Sequence, residues 1–187
     1  MNILIETLPD AVTVDGREYL VYTDYRDWIT FTLMFMDNEL SEKEKVISAF
    51  QWFYEMPPYS AESIKTLSWF LFCGKTEKQT DKKTAEKEKP IFSYECDAHL
   101  LIAAFIEQYG IDLTNIDYLH WWKFKALFDG LNDHTTLKQY MQYRSIDTSK
   151  IKDKEERRRI RRIQAQIKLP EQTINDADIA EVLGAFF

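Results

Sequence analysis

The 187 residues, 45% hydrophobic and 14% aromatic, exclude a disordered chain and supply enough apolar surface for a core without disulfide staples. A net charge of −7 disfavours a general nucleic-acid binder, because phosphate contacts need a positive field. No apolar run approaches the ~20 residues that span a bilayer.

Residues 1–8 carry no basic region and only a brief apolar run, so no signal peptide is expected. Residues 3–5 suit a short strand. Residues 11–14 and 18–22 flank Asp15-Gly16, a pair that favours the turn matching strand twist, and predict a hairpin that should lie against helices. Asp24 caps a predicted helix to about Met36, with Trp28, Phe31, Leu33 and Phe35 as apolar surface. Ser41 with Glu44 makes a full capping box for a helix over 42–54, which Pro57-Pro58 ends. Ser60 or Ala61 begins a third helix to Cys73, and Gly74 stands where a left-handed cap belongs.

Residues 75–89 differ in kind. Six Lys, four acids and three Thr, with no large apolar residue, cannot offset ordering entropy by burial, so this is expected to be a mobile loop. Beyond it, residues 92–94 precede a helix opened by Asp97 and closed by Gly110. Residues 114–131 form the predicted central helix. Thr114 and Asp117 approximate its capping box, and Ile116, Leu119, Trp122, Phe124, Leu127, Phe128 and Leu131 surround most of its circumference. Asp133 caps a short helix, Ser149 or Asp153 starts a basic one that Pro170 breaks, and Asn175 with Asp178 opens the last. The whole reads as a mainly α protein, a multi-helix domain with a small N-terminal β-hairpin. Residues 1–168 make the helical domain and 169–187 a C-terminal helical appendage.

Motif chemistry points away from catalysis. His99, His120 and His134 lie in separate elements without metal-ligand spacing, and His120 suits a boundary residue with a hydrogen-bond partner. Cys73 and Cys96 lack metal-like spacing too. They read as buried free thiols of a reducing compartment, with a Cys73–Cys96 disulfide as the alternative. No nucleophile elbow, phosphate loop or dinucleotide fingerprint occurs among five glycines. No enzymatic activity and no cofactor are expected.

Two segments suit interaction. Residues 150–168 hold nine Lys or Arg against three acids, with Arg157, Arg158 and Arg161 beside an isoleucine stripe of Ile160, Ile163 and Ile167. A docked surface helix, an acidic protein partner and nucleic acid are the readings of that pattern. The last helix carries a stripe of Ile179, Val182, Leu183 and Phe186, which suits either its own core or a second subunit. These ten residues are the candidate partner-binding set.

Six segments stand out: Thr23-Asp24-Tyr25-Arg26-Asp27-Trp28, Cys73-Gly74-Lys75, Gln108-Tyr109-Gly110-Ile111-Asp112-Leu113, Tyr118-Leu119-His120-Trp121-Trp122-Lys123-Phe124, Tyr143-Arg144-Ser145-Ile146-Asp147 and Ile151-Lys152-Asp153-Lys154. Together they resemble a family of small tail-region proteins from long-tailed phages (siphophages) and prophages of Gram-positive bacteria. The likeness runs from about Leu4 to Lys168, and the segment Leu119–Phe124 is its most distinctive part. By their usual place beside the tape-measure gene, such proteins resemble tail assembly chaperones. The resemblance implies a non-enzymatic helical protein of the host cytoplasm that binds the tape-measure protein, with the tail tube protein as a second partner, and that forms homo-oligomers. A structural tail or connector component is the alternative, and a nucleic-acid-binding regulator using the basic helix a further one. The resemblance carries over no catalytic residues, and Trp121 and Trp122 are expected in the core.

Overall fold

A computed structural model describes residues 3–75, 89–170 and 176–185. It is mainly α: eight helices and one two-stranded antiparallel sheet among the described residues. By internal contacts the chain divides into two compact units, Met1–Thr84 with Asp117–Leu127 and Asp176–Phe187, and Ala85–Ile116 with Phe128–Asn175. The predicted loop over 75–89 lies, but for Lys75 and Lys89, outside the described residues.

The first unit begins with β1 (Ala11–Val14) and β2 (Arg17–Leu20), paired in the register Val12 to Tyr19 and Val14 to Arg17. Asp15 and Gly16 both have positive φ, 48° and 80°, as the turn between twisted strands requires. Val12 and Val14 are buried and the strand packs on α3 (Ala61–Leu71). Pairing continues past β2. Tyr22 N donates to the Trp52 carbonyl and Tyr54 N to that of Leu20, each at 3.0 Å, around a bridge between Val21 and Phe53. Residues 3–5, expected as a strand, instead form an exposed turn.

Helix α1 (Tyr25–Met36) starts where Asp24 accepts the Arg26 amide at 3.0 Å. Trp28, Phe31 and Phe35 lie on its buried face. The Ser41–Glu44 capping box forms in full and opens α2 (Glu42–Ala49), which tightens into a 3₁₀ turn at Phe50–Trp52 instead of running on to residue 54. Ser60 caps α3. That helix ends through two left-handed residues, Cys73 (φ 55°) and Gly74 (φ 75°), with Gly74 N bonded to the Trp69 carbonyl at 2.8 Å. Helix α8 (Asp176–Ala185) packs on α3, with Ile179 and Leu183 buried.

The expected central helix is shorter than predicted: α5 spans Trp121–Asp129. Thr114 does not cap it, because its amide and hydroxyl both bond Asp112 Oδ1, at 2.9 and 2.6 Å, in a local turn. Leu119 and His120 are then held in extended conformation by the segment ahead of α1. The helix is also one-sided. Trp121, Trp122, Phe124 and Phe128 are buried, whereas Lys123, Ala126 and Asp129 face solvent.

The second unit holds α4 (Ala98–Tyr109), α6 (Thr136–Ser145) and α7 (Lys154–Gln166). Gly110 closes α4 in the left-handed region, φ 65°. Thr135, not Asp133, caps α6, because Asn132 accepts the His134 amide and leaves Thr135 Oγ1 to meet Lys138 N. Asp97 stands at the N-cap of α4 but its carboxylate is taken elsewhere. Arg144 from α6 makes a two-pronged ion pair with it at 2.6 and 2.9 Å, and Ser93 N donates to it as well. The same guanidinium reaches the carbonyls of Ile91 and Ile167, at 3.0 and 2.7 Å. Both side chains are nearly sealed from solvent. Cys73 and Cys96 are free thiols, but neither is buried as expected: Cys73 is half-buried and Cys96 exposed.

Two predictions follow from these joints. A Cβ at Gly74 would stand 3.0 Å from Trp122 Cη2, whereas nothing lies within 4 Å of one at Gly110. Both Gly→Ala changes incur the left-handed penalty of ~1–2 kcal/mol, so the urea midpoint should fall for both and further for Gly74→Ala. Removing Arg144 strands a buried carboxylate, and Arg144→Ala should lower unfolding free energy by ~3–5 kcal/mol. Denaturant titration followed by circular dichroism reads both.

Candidate interaction surface

The residues that make up the quoted motifs lie at the joints of the fold. In the first unit, Asp24 and His120 form an antiparallel bridge. Tyr25 N donates to the Leu119 carbonyl at 2.9 Å and Trp121 N to that of Thr23 at 2.7 Å. Asp24 also accepts the Leu119 amide, Arg26 reaches the Asp117 carbonyl, and the hydroxyls of Thr23 and Tyr118 pair at 2.9 Å. Tyr25 stacks on Phe124 with ring centroids 5.0 Å apart. The adjacent indoles of Trp121 and Trp122 donate to adjacent carbonyls, Leu71 at 2.8 Å and Phe70 at 2.9 Å, at the end of α3, where helical carbonyls lack partners. Both tryptophans are therefore core, as expected.

His120 works as a clamp. The Trp122 amide can only donate, so Nδ1 accepts it at 3.1 Å. Nε2 then carries the ring proton and donates to the Pro9 carbonyl at 3.0 Å. The ring is neutral in this arrangement. Burial pushes its pKa down, against the Pro9 bond and the nearby Asp10 carboxylate, which pull it up.

In the second unit, Gln108 bonds the Gly130 carbonyl and the Asn132 amide, and Gln164 donates to the carbonyls of Tyr143 and Ile146. Among the described residues no buried side-chain nitrogen or oxygen lacks a partner, and no group of three or more His, Cys, Asp or Glu is placed to hold a metal. No described helix is long and apolar enough to cross a membrane.

The ten candidate partner-binding residues divide by chemistry. Ile160, Ile167, Ile179 and Leu183 are buried in the chain's own fold, and Arg157, Ile163 and Val182 are half-buried. Arg158 and Arg161 are exposed, and Phe186 lies outside the described residues. Asp153 caps α7, and several of its cations have local partners: Arg157 the Ile151 carbonyl, Arg158 Glu155, Arg159 Glu156 and Arg161 the Thr148 hydroxyl. The outward face of α7 is thus basic and its inward face apolar.

A second surface was not anticipated. Leu20, Tyr54, Met56 and Tyr59 are 53%, 64%, 57% and 61% exposed. Leu20 stands opposite Tyr54 across the Val21–Phe53 bridge, Tyr54 stacks on Tyr22 at 4.4 Å, and Tyr59 packs on Phe50 at 4.3 Å. An apolar and aromatic ledge results on the first unit. One signal for it was present in the strand alternation, which puts Leu20 in the outward phase with Glu18.

With the joints in view, comparison with known proteins is decisive for kinship. A family model described as "Bacteriophage Gp15 protein" matches residues 4–169. The chain belongs to that family. No curated protein and no solved structure matches the chain. As a Gp15-family protein it is a phage protein, and the matched span is nearly the extent expected for the likeness, Leu4 to Lys168. Helix α8 lies past the matched span yet packs on α3.

The His120 clamp predicts a pH dependence. Because burial lowers its pKa, the unfolded chain binds the proton more readily than the folded one. The stabilisation is complete above the ordinary histidine value of about 6.5 and declines as pH falls below it. The carboxylates held low by hydroxyl and amide bonds, Glu44, Asp112 and Asp147, act only lower, near their ordinary values of about 4. The urea midpoint should therefore drop between neutral and mildly acid pH in the natural chain, and by less in His120→Gln.

Proposed function

We propose that this protein is a non-enzymatic tail assembly chaperone that binds the tape-measure protein during tail morphogenesis in the host cytoplasm. Membership of a phage protein family supports a role in phage structure or morphogenesis, and the resemblance of the quoted motifs to tail-region proteins of Gram-positive siphophages favours the tail. The ledge of Leu20, Tyr54, Met56 and Tyr59 carries the binding reading. A chaperone for a long helical client needs apolar surface open to water and able to receive one face of an amphipathic helix. Tyrosines suit such a surface, because each covers a large area with few rotors and keeps its hydroxyl wet. The net charge of −7 helps keep a loaded complex soluble. The tail tube protein is the natural second partner, since the tube polymerises around the client.

The test is co-expression with the neighbouring tape-measure protein, affinity capture, and mass measurement of the complex. A soluble complex with several copies of this chain per client is expected, with the client insoluble alone. Replacing the ledge residues, Leu20→Ser with Tyr54→Ser, should weaken capture by at least about tenfold, the loss expected for a central aromatic anchor. The circular dichroism spectrum should be unchanged. Absence of any complex, with the protein found in purified virions, would instead assign it a structural tail or connector role.

A further inference from the structure

We propose that the outward face of α7 docks on the acidic turn at residues 37–44 of a second copy of this chain, so that copies join through charge. The inference goes beyond the client-binding role and does not depend on it.

Charge in this chain is segregated. Residues 150–168 hold nine bases against three acids in a protein of net charge −7. Along α7, Lys154, Arg158, Arg161 and Arg162 recur at helical spacing on one exposed face, beside the small exposed Ala165. Ile160, Ile163 and Ile167 take the opposite, inward face, so rotation of the helix to offer its apolar stripe is blocked by its own packing. What α7 presents outward, from Lys154 to Arg162, is a cationic strip ~12 Å long, from ~1.5 Å per residue. Glu155 pairs with Arg158 and Glu156 with Arg159, both exposed, and the cations remain in excess.

The complementary surface is on the first unit. Between Asp37 and Glu44 stand four acids, Asp37, Glu39, Glu42 and Glu44, all exposed, against one exposed lysine, Lys43. The neighbouring Lys45, whose ammonium bonds the Phe35 carbonyl at 2.7 Å, keeps its charge, and four acids still outnumber the two lysines. The turn is built stiffly. Asp37 takes the Glu39 amide at 2.8 Å, and Glu44 closes the capping box on Ser41. Exposed Ile47, one turn into α2, supplies apolar contact beside the charges. Arginine forks suit carboxylates in such an array. A phosphate backbone fits less well, because the rest of the chain repels it and α7 carries no aromatic residue for base stacking. Each copy offers one patch of each kind, so the contact closes as a reciprocal dimer or runs on into rings or filaments, and the mass distinguishes the two.

Sedimentation velocity of the full chain, without tape-measure protein, tests this. At low salt the mass should exceed the 22.3 kDa of one chain by whole multiples and return to one chain as salt is added. Arg158→Glu with Arg162→Glu, or Glu39→Lys with Glu42→Lys, should each leave only monomer at low salt. Mixing the two variants should restore association, which excludes misfolding as the cause of its loss. A monomer at every salt concentration would overturn the proposal, as would association indifferent to both variants. Salt-sensitive binding of duplex DNA, lost in the arginine variant of a chain otherwise monomeric, would overturn it too and assign the strip to nucleic acid. Client capture is measured separately, so either reading can fail alone.

Discussion

The short bridge between Asp24 and His120 is the joint on which the first unit depends. Segments almost a hundred residues apart meet there through main-chain bonds at Thr23, Tyr25, Leu119 and Trp121. Backbone groups buried away from water must find partners, and a two-residue ladder satisfies several at once without a full sheet. Each flank then starts a helix. Asp24 caps α1 while also holding the Leu119 amide, and His120 stands at the head of α5 with its ring on the Trp122 amide. Both residues do double service, which makes the start of one helix conditional on the start of the other.

Tryptophan placement follows the same accounting. Trp28, Trp52, Trp121 and Trp122 all direct their indole N–H to main-chain carbonyls, those of Tyr22, Asp27, Leu71 and Phe70. A buried indole nitrogen needs an acceptor. Tyr22 offers a loop carbonyl, and Phe70 and Leu71 offer carbonyls of the last turn of α3. Asp27, in the first turn of α1, offers the second lone pair of a helical one. The rings add packing, since Trp28 stacks on Phe70 and lies against Trp121. Most of what looks distinctive in the quoted motifs is therefore a set of joints and caps. Kinship is legible in them because the fold needs them, whatever surface the protein uses for its partner.

Features decided within a few residues were legible in the sequence. Asp15-Gly16, the Ser41–Glu44 box and Gly110 behave as predicted because their geometry is complete locally. Thr114 shows how a local signal fails: Asp112, two residues earlier, competes for the same amide and hydroxyl, and the turn wins over the helix. Long-range demand explains other departures. Asp97 heads α4 as expected but does not cap it by its side chain, because Arg144, 47 positions later, needs a buried counter-ion. The ledge at Leu20 and Tyr54 arises from a bridge between a hairpin strand and a 3₁₀ exit, a pairing that hydrophobic periodicity does not encode.

The same distinction governs the candidate site. An apolar stripe such as Ile160, Ile163 and Ile167 shows that one face of a helix must be covered, but periodicity is silent on whether the cover is internal. In α7 it is internal, at least for Ile160 and Ile167. Once the apolar face is occupied, the helix can meet a partner only through its cations. Exposed ion pairs contribute little singly, are weakened by salt, and act mainly on encounter rate and orientation. The ledge differs, because burial of tyrosine and leucine side chains gives affinity that salt scarcely touches. The chain thus carries two surfaces of unlike physics, one suited to reversible, salt-tuned contact and the other to holding an apolar client. The chaperone role proposed above would draw on both, the first to gather copies and the second to hold a client.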